Sequence, residues 1–201
     1  MKIDLSSLAP REAHDLLTSA IIPRPIAWVS TVNKNGDVNL APFSFFTGVQ
    51  WYPPVIAFSV VNREDGSKKD TVVNIEQIPE FVVHSVSVDL LMPMEASAQR
   101  IPIGRDIQEI SGIHLIASDI VIPPRICEAA VAFECSLEKI ITVNEGANAG
   151  NLILGRVKVL HTDDTLIENG REIDWAKLNA LGRLSGNRYC EIRDVIRSET
   201  N

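Results

Sequence analysis

Apolar and polar residues alternate in several short stretches of this chain, a pattern typical of β-strands. Residues 26–32 are rich in β-branched and aromatic side chains, residues 33–36 carry a hairpin turn signal, and residues 37–41 form the returning strand. Further strands are predicted over residues 55–60, 80–87, 129–143, 151–162 and 188–192. Because helical segments do not alternate regularly with the strands, we predict a mainly β fold, an antiparallel barrel with a few short helices.

The predicted helices are short and lie between or before the strands. The first begins near Ser7, the candidate N-cap, runs to about Ser19, and has Leu16 and Leu17 on its apolar side. The second covers residues 70–78, where apolar residues recur at helical spacing. Two more are predicted at 88–98 and 175–181, and a surface loop at 99–112. There is no internal repeat, so we expect one domain over residues 1–201.

Composition and charge exclude several function classes. The net charge of −7 gives no basic footprint for nucleic acid. No apolar run approaches the roughly 18 residues that a membrane helix needs, and the N-terminus does not resemble a secretory signal. The three cysteines are odd in number and lack CxxC spacing, which favours reduced thiols and a cytoplasmic protein.

The common catalytic motifs are absent from the sequence. There is no GxGxxG fingerprint after a strand, no GxxxxGK[ST], no HExxH and no GxSxG. The four histidines are scattered, and each is interpreted as a packed or surface side chain rather than a metal ligand: His14, His84, His114 and His161. We therefore predict no metal site and no catalytic side chain.

The start of the second predicted helix has the chemistry of an anion site. Its first amides point outward with partial positive charge, and Ser67, Lys68, Lys69 and Thr71 surround it with hydroxyls and ammonium groups. A phosphate dianion would fit there. The alternative is that Ser67 or Asp70 caps the helix and both lysines face water.

Two further segments suit a flat heteroaromatic ligand. Ser30 and Thr31 on one strand, with residues 39–41 on its hairpin partner, place small polar groups beside backbone donors and acceptors. Alternatively, Ser30 and Thr31 occupy a solvent-facing side of the hairpin. Residues 42–46 carry three phenylalanines that either wall an apolar slot or belong to the core.

Taken in this order, the segments resemble the flavin reductase-like family of FMN-binding split barrels, which includes flavoredoxins and the reductase partners of two-component monooxygenases. The resemblance rests first on PRPIAWVST (23–31), NLAPFSFF (39–46), PPVIAFS (53–59), DGSKKDTVVNI (65–75) and EFVVHSVS (80–87). It continues through PPRICEAAVAFEC (123–135), LILGRVKVLH (152–161) and RLSGNRYCEI (183–192). It therefore spans nearly the whole chain.

The resemblance implies a six-stranded split β-barrel of Greek-key antiparallel type, a homodimer, and FMN near the subunit interface. It implies ring contacts from Ser30 and Thr31, and a ring edge lined by Asn39 and the backbone of Ala41, Pro42, Phe43 and Ser44. It implies that Ser59 and Asn62 lie along the ribityl chain, that Ser67, Lys69 and Thr71 hold the phosphate, and that Arg24 adds charge near the ring or the phosphate. It also implies that residues 183–187 reach toward the partner's flavin. Trp28 faces either the cofactor or the core.

The function implied is an NAD(P)H:flavin oxidoreductase in which NADH or NADPH passes a hydride to FMN, held either as a cofactor or as an exchangeable substrate. The cofactor supplies this chemistry, so no protein nucleophile is needed. A monooxygenase or another electron-acceptor protein is an expected partner. The alternatives are a flavoredoxin-like electron carrier, a flavin-binding module without turnover, and a β-barrel interaction domain without a cofactor.

Overall fold

The computed structural model describes residues 1–99, 106–192, 194–196 and 198. The strands are β1 (Ala27–Val32), β2 (Val38–Phe43), β3 (Phe46–Trp51), β4 (Pro54–Val61), β5 (Glu80–His84), β6 (Leu115–Ile116), β7 (Arg125–Ile126), β8 (Val131–Val143), β9 (Gly150–Thr162), β10 (Ile167–Glu168), β11 (Glu172–Ile173), β12 (Leu181–Arg183) and β13 (Tyr189–Glu191). The α-helices are α1 (Pro10–Ala20), α2 (Asp70–Gln77), α3 (Leu91–Ser97), α4 (Ile107–Ser111) and α5 (Trp175–Leu178).

Seven strands form the main sheet in the order β2-β1-β5-β8-β9-β4-β3, and every neighbouring pair is antiparallel. Four strands separate β2 from β4 in the sheet order, yet Phe43 of β2 and Phe58 of β4 stack with ring centroids 5.5 Å apart. This contact shows that the sheet curls back on itself. The mainly β antiparallel prediction is confirmed. The sheet has one strand more than the six that the resemblance implies; β3, within a segment that breaks the sequence pattern, was not predicted.

Apolar side chains form a core on each face of β1. Successive side chains of a strand point to opposite faces. Val29 therefore packs inside the curled sheet with α2, whereas Trp28 packs with Leu40 and Met94 under α3 and α4. Trp28 is fully buried, and its Nε1 donates to Ser97 Oγ at 2.8 Å. Of the two interpretations of Trp28, the structure supports core packing.

The inner core contains a row of three aromatic rings. Phe81 meets Phe58 edge to face at 5.4 Å, and Phe58 stacks on Phe43. The far end of the row abuts Gly155 of β9, where an added Cβ would lie only 2.9 Å from Phe81 Cε2. The absence of a side chain at Gly155 thus leaves room for the first ring.

The N-terminal helix differs from its prediction in two ways. Helix α1 begins at Pro10 with Ala9 as the N-cap, whose N–H donates to Glu12 Oε2 at 3.1 Å. Ser7 instead lies in a separate 3₁₀ turn, so its assignment as N-cap is wrong. Leu16 and Leu17 are exposed and do not belong to the buried core, so the side of the helix that was predicted to be covered faces outward.

The segment predicted as a loop contains a helix. Helix α4 is N-capped by Asp106, whose Oδ1 accepts from the Gln108 N–H at 2.9 Å. Five helical residues are too few for a recognisable apolar period, and an N-cap residue alone does not predict a helix. Residues 100–105 of that predicted loop lie outside the described residues. No helix in the described part of the chain is both long and apolar enough to span a membrane.

Candidate functional site

A cleft of about 870 Å³ runs along β2. Strand β2 ends the sheet order, α2 packs on one side of it, and α3 and α4 pack on the other. Six of the residues predicted from the sequence line the cleft: Asn39, Ala41, Pro42, Phe43, Lys69 and Thr71. An edge strand offers backbone donors and acceptors that no neighbouring strand uses, so the cleft can satisfy the polar edge of a bound molecule.

A network of neutral polar side chains joins β1 and β2 to the first turn of α2. Asn39 Nδ2 donates to Thr71 Oγ1 at 2.9 Å and to Thr31 Oγ1 at 3.3 Å. Asn74 Nδ2 donates to Thr31 Oγ1 at 3.1 Å. Thr31, Thr71 and Asn74 are buried. Thr31 therefore acts on the cleft through Asn39 and Asn74, since it is not among the lining residues.

Positive charge gathers where α2 begins. Lys69 occupies the N-cap position in an extended conformation and makes no capping bond with its side chain. Its Nζ lies 5.9 Å from the centroid of the Phe43 ring. Desolvation lowers the pKa of Lys69, and the nearby charge of Arg63 lowers it further. The first N–H groups of a helix lack intrahelical acceptors, so this end of the cleft attracts anions.

Most of the other lining residues were not predicted as site residues, and Arg63, Asp70 and Asn74 are the ones nearest to the start of α2 in the chain or in the hydrogen-bond network. Arg63 donates from Nη1 to the Lys68 carbonyl and from Nη2 to Asp70 Oδ2 at 2.8 Å. The signal was present, because Arg63 opens the same charged turn as the two lysines. Only a fold in which the turn doubles back onto the helix start brings it beside Lys69.

Ser67 and Lys68, which the sequence placed beside Lys69, bond outside the cleft. Ser67 Oγ donates to Asp65 Oδ1 at 2.6 Å, and Ser67 does not line the cleft. Lys68 pairs with the Glu76 carboxylate. The two lysines therefore divide, with Lys69 in the cleft and Lys68 on the outer face of the helix. The first part of the alternative is not supported, because neither Ser67 nor Asp70 occupies the N-cap position of α2; Lys69 is exposed, as its second part expects, and also lines the cleft.

Three predicted residues lie outside the cleft and bond elsewhere. Ser30 faces the other side of β1, where its hydroxyl donates to the Pro124 carbonyl at 2.6 Å. Ser59 is half-buried on β4, and its N–H donates to the Phe45 carbonyl at 2.9 Å. The side chain of Asn62 donates to two glycine carbonyls and accepts from Asn151 Nδ2 at 2.8 Å. Their predicted flavin contacts stay predictions, with no support from the position of these side chains.

Arg24 and Ser44 lie beyond the Phe43 end of the cleft. Arg24 is 4% exposed, and its guanidinium donates to the carbonyls of Thr18, Ile21 and Leu184. Its Nε donates to Ser44 Oγ at 3.3 Å. Burial lowers the pKa of Arg24, and the charge of Arg183 adds to the effect. Arg24 thus ties α1 to the chain after β12, and only its bond to Ser44 leads toward the predicted ring edge.

A second buried polar cluster lies on β8 and β9, away from the cleft. Glu134 is fully buried, and its two oxygens accept from the N–H groups of Asp119 at 2.7 Å and Ile120 at 2.8 Å. His161 Nε2 donates to Oε1 at 2.7 Å. Burial would raise the pKa of Glu134, but these hydrogen bonds and the charge of His161 outweigh it and lower the pKa.

This cluster brings together ligand types that the sequence left scattered. Single ligand atoms of Asp119, Glu134 and His161 lie within 4.8 Å of one another. Both Glu134 oxygens already accept from backbone N–H groups, and Arg125 Nε lies 3.7 Å from one of them. A cation would compete with these donors for the carboxylate. We therefore interpret the cluster as an anchor that holds the segment of residues 119–126 against the sheet.

His84 anchors the same segment. Its Nδ1 donates to the Trp28 carbonyl at 2.9 Å, and its Nε2 accepts from the Ile126 N–H at 3.0 Å. Burial lowers the pKa of His84 to about 4, although the bond to Trp28 partly offsets the effect. A neutral ring with the proton on Nδ1 is the form that satisfies both partners.

Known proteins resemble this chain over most of its length. The family model described as flavin reductase like domain matches residues 19–176. A protein of Aquifex aeolicus is 38% identical over 176 residues, which are 88% of each chain. The crystal structure of nitrilotriacetate monooxygenase component B from Bacillus cereus has a TM-score of 0.93 at 33% identity, over 98% of both chains. A Shewanella frigidimarina protein with a split barrel domain has a TM-score of 0.85 at 15% identity over all of both chains. The fold is therefore the split β-barrel that the sequence predicted.

Proposed function

Because the chain belongs to the flavin reductase-like domain family, we propose that it is a flavin-binding oxidoreductase that holds FMN along β2 and takes electrons from NADH or NADPH. The observation that carries the proposal is the junction of an open strand edge with a positive helix start in one cleft. Neither the edge nor the helix start alone would distinguish a flavin from another small ligand.

The donor set fits the phosphate of FMN. The first N–H groups of α2, the ammonium of Lys69 and the hydroxyl of Thr71 converge on one end of the cleft, with Arg63 beside them. Such an arrangement binds phosphate without a metal ion. The ring of Phe43, with the half-buried Ala41 and Pro42, gives the apolar wall that a flavin ring requires. The phosphate end is therefore the better-defined half of the proposed site.

Bound FMN would supply the redox chemistry, since its ring accepts a hydride from a reduced nicotinamide and releases the electrons to an acceptor. The side chains of this protein position the ring, hold the phosphate and shield one face from water. The cleft therefore needs no nucleophile and no general acid of tuned pKa, and we assign none.

We propose a homodimer as the functional unit. Trp51 is 93% exposed and Tyr52 is 82% exposed at the end of the edge strand β3, and Val49 of the same strand is also exposed. Large apolar side chains in such positions are typical of a surface that another chain covers. Light scattering should give a dimer mass for the wild type and a monomer mass for Trp51→Ser with Tyr52→Ser. A monomeric wild type would contradict the proposal.

A separate electron acceptor completes the proposal. The Bacillus cereus structure is a component of a monooxygenase, which supports delivery of electrons to a partner enzyme. The three free cysteines suit the reducing cytoplasm, where we place the protein: Cys127, Cys135 and Cys190. A flavoredoxin-like carrier would bind FMN equally well but would take its electrons from another protein.

The reductase activity is tested directly by anaerobic mixing. Purified protein with FMN and either NADH or NADPH should bleach the flavin absorption band together with the nicotinamide band. The rate should greatly exceed that of free FMN with the same donor. If FMN binds tightly but neither NADH nor NADPH reduces it faster than free FMN, the reductase proposal is wrong. The electron carrier or the non-catalytic flavin-binding module would then be the better interpretation.

The site is tested by paired ligands and paired lysines. Lys69→Ala with Thr71→Ala should weaken FMN binding by roughly tenfold or more, because charge-assisted bonds to the phosphate are lost. Riboflavin, which lacks the phosphate, should lose little affinity. The matched control is Lys68→Ala, since Lys68 pairs with Glu76 away from the cleft. This variant should bind both ligands like the wild type. Equal losses for FMN and riboflavin would contradict the phosphate assignment.

A further inference from the structure

The positive end of the cleft contains a negative charge that the proposed phosphate site does not need. Asp70 is the first residue of α2, lines the cleft beside Lys69 and Thr71, and accepts from Arg63 Nη2 at 2.8 Å. Its side chain is 61% exposed, whereas that of Arg63 is 25% exposed. The carboxylate therefore has room to rotate into solvent, while Arg63 is held by its second bond to the Lys68 carbonyl.

We propose that Asp70 sets the affinity of the cleft for FMN by occupying Arg63 and by competing with the phosphate for the positive groups at the start of α2. The inference rests on the proposed function, because it assigns a role to Asp70 only if a phosphate-bearing flavin binds here. Asp70 is a positioning residue: it acts on the ligand through Arg63 and through the local charge, not through the reacting atoms.

The balance of charges at the start of α2 supports this role of Asp70. Arg63, Lys69 and the amide end of α2 are positive features at the start of α2, and Asp70, paired with Arg63, neutralises part of this charge. A phosphate of about −1.5 to −2 charge must displace this carboxylate from Arg63 or bind beside a like charge. Either event reduces the net gain on binding. Arg63 and Lys69 still recognise the phosphate, but they hold the flavin less tightly than they would without the Asp70 carboxylate.

The expected consequence is a flavin that exchanges. Affinity differences between variants of one site lie mostly in the dissociation rate. Removing the competing charge should therefore slow the release of FMN more than it speeds binding. Of the two modes that the sequence left open, the Asp70–Arg63 pair favours an exchangeable substrate over a permanently held cofactor.

The test compares Asp70→Asn with the wild type for two ligands, by calorimetry or by quenching of flavin fluorescence. Asp70→Asn should bind FMN about tenfold more tightly, a change of about 1.4 kcal/mol, with slower release in stopped flow. Riboflavin affinity should not change. Glu64→Gln is the matched control, because it removes one negative charge from the same turn at an exposed position that does not line the cleft. It should bind FMN like the wild type.

The outcomes separate the inference from the proposed function. A wild type that binds neither FMN nor riboflavin would remove the proposed function itself. A wild type that prefers FMN, with Asp70→Asn giving unchanged or weaker FMN binding in a folded protein, would overturn only the role of Asp70. Asp70→Ser provides the second variant, since serine is also uncharged and suits the first turn of a helix. It should reproduce the gain.

A double-mutant cycle tests whether Asp70 acts through Arg63. Arg63→Gln alone should weaken FMN binding. In the Arg63→Gln background, Asp70→Asn should give a clearly smaller gain than in the wild type, because there is no guanidinium left to release. Fully additive effects would show that Asp70 does not act by holding Arg63 and would overturn that part of the proposal.

Discussion

Two buried polar clusters lie in different parts of the curled sheet and differ in what they bond to. At the cleft, Thr31, Asn39 and Asn74 are neutral and bond mainly to one another. Away from the cleft, Glu134 and His84 are ionisable and bond to backbone groups: Glu134 accepts from two N–H groups, and His84 accepts from one N–H and donates to the Trp28 carbonyl. The first arrangement steadies a surface that still offers donors and acceptors to a ligand. The second uses its donors and acceptors on the chain itself.

The comparison shows how to separate binding from structural polar groups in this molecule. Burial together with a perturbed pKa is the usual sign of a functional site, and it selects Glu134, His84, Arg24 and Cys135, none of which lines the cleft. The cleft instead combines neutral amides and hydroxyls with the charged Arg63, Lys69 and Asp70, and the function proposed for it requires no general acid or base of tuned pKa. Under the proposed function, in which a bound cofactor would supply the reactive atoms, buried groups with perturbed pKa values belong to the scaffold and not to the binding site.

The largest expected effect is on stability and comes from the structural cluster. Glu134→Gln should lower the free energy of unfolding by about 3 kcal/mol, because a buried charge-assisted network loses its anion and one amide N–H then faces a backbone donor. Urea denaturation measures the change. The variant that remains folded should bind FMN with wild-type affinity, since Glu134 does not line the cleft.

Glu138 supplies the control for that experiment. It lies four residues further along β8 and pairs with Arg156 at 2.8 Å, but it is 41% exposed. Glu138→Gln should leave the urea midpoint unchanged within error, because exposed ion pairs contribute little. If both variants were equally stable, Glu134 would not be the anchor that its hydrogen bonds indicate.

The second prediction concerns pH and His84. The pKa of His84 is lowered from 6.5 to about 4 in the folded protein, so the unfolded chain binds more protons between these values. Stability is therefore fully present above about pH 6.5 and is lost as the pH falls toward 4. Between pH 7 and pH 5 the free energy of unfolding should drop by about 2 kcal/mol. His84→Gln should show a flatter profile over that window, and an identical slope in both proteins would refute the assignment.

The smallest stability effect is expected at the cleft, where binding should change instead. Asn39→Ala removes two neutral hydrogen bonds and should lower the free energy of unfolding by about 1 kcal/mol. FMN affinity should fall several-fold, because Thr71 and the start of α2 lose their link to β2. If Asn39→Ala harmed stability more than Glu134→Gln and left FMN binding intact, the contrast between the two clusters would be reversed.

Much of the fold could be predicted because its strands carry strong local patterns. Strands β1, β4, β8 and β9 have long β-branched runs, and α2 has clear helical spacing before a proline. Strand β3 was missed although most of its residues favour strands, because Gly48 interrupts the run and the pairing with β4 shifts register between Gly48 and Gln50. Helix α4 was missed because it has only five residues.

The candidate site could be predicted in part. Lys69, Thr71 and Asn39 followed from helix-start chemistry and from the family resemblance, and all three line the cleft. The direction of Ser30 could not be read, because alternation along a strand does not tell which face another element covers. Arg63 and its pairing with Asp70 depend on how a charged turn closes, which no periodicity records.

Gly155 has a consequence for anyone who redesigns the cleft. A methyl group at this position would push on Phe81, and the row of rings through Phe58 would pass the displacement to Phe43, beneath the ammonium of Lys69. Tight packing transmits such displacements instead of absorbing them. A library that varies only the residues lining the cleft would therefore omit Gly155, which lies in the middle of β9. Gly155 nevertheless helps to set the position of Phe43 in the cleft wall.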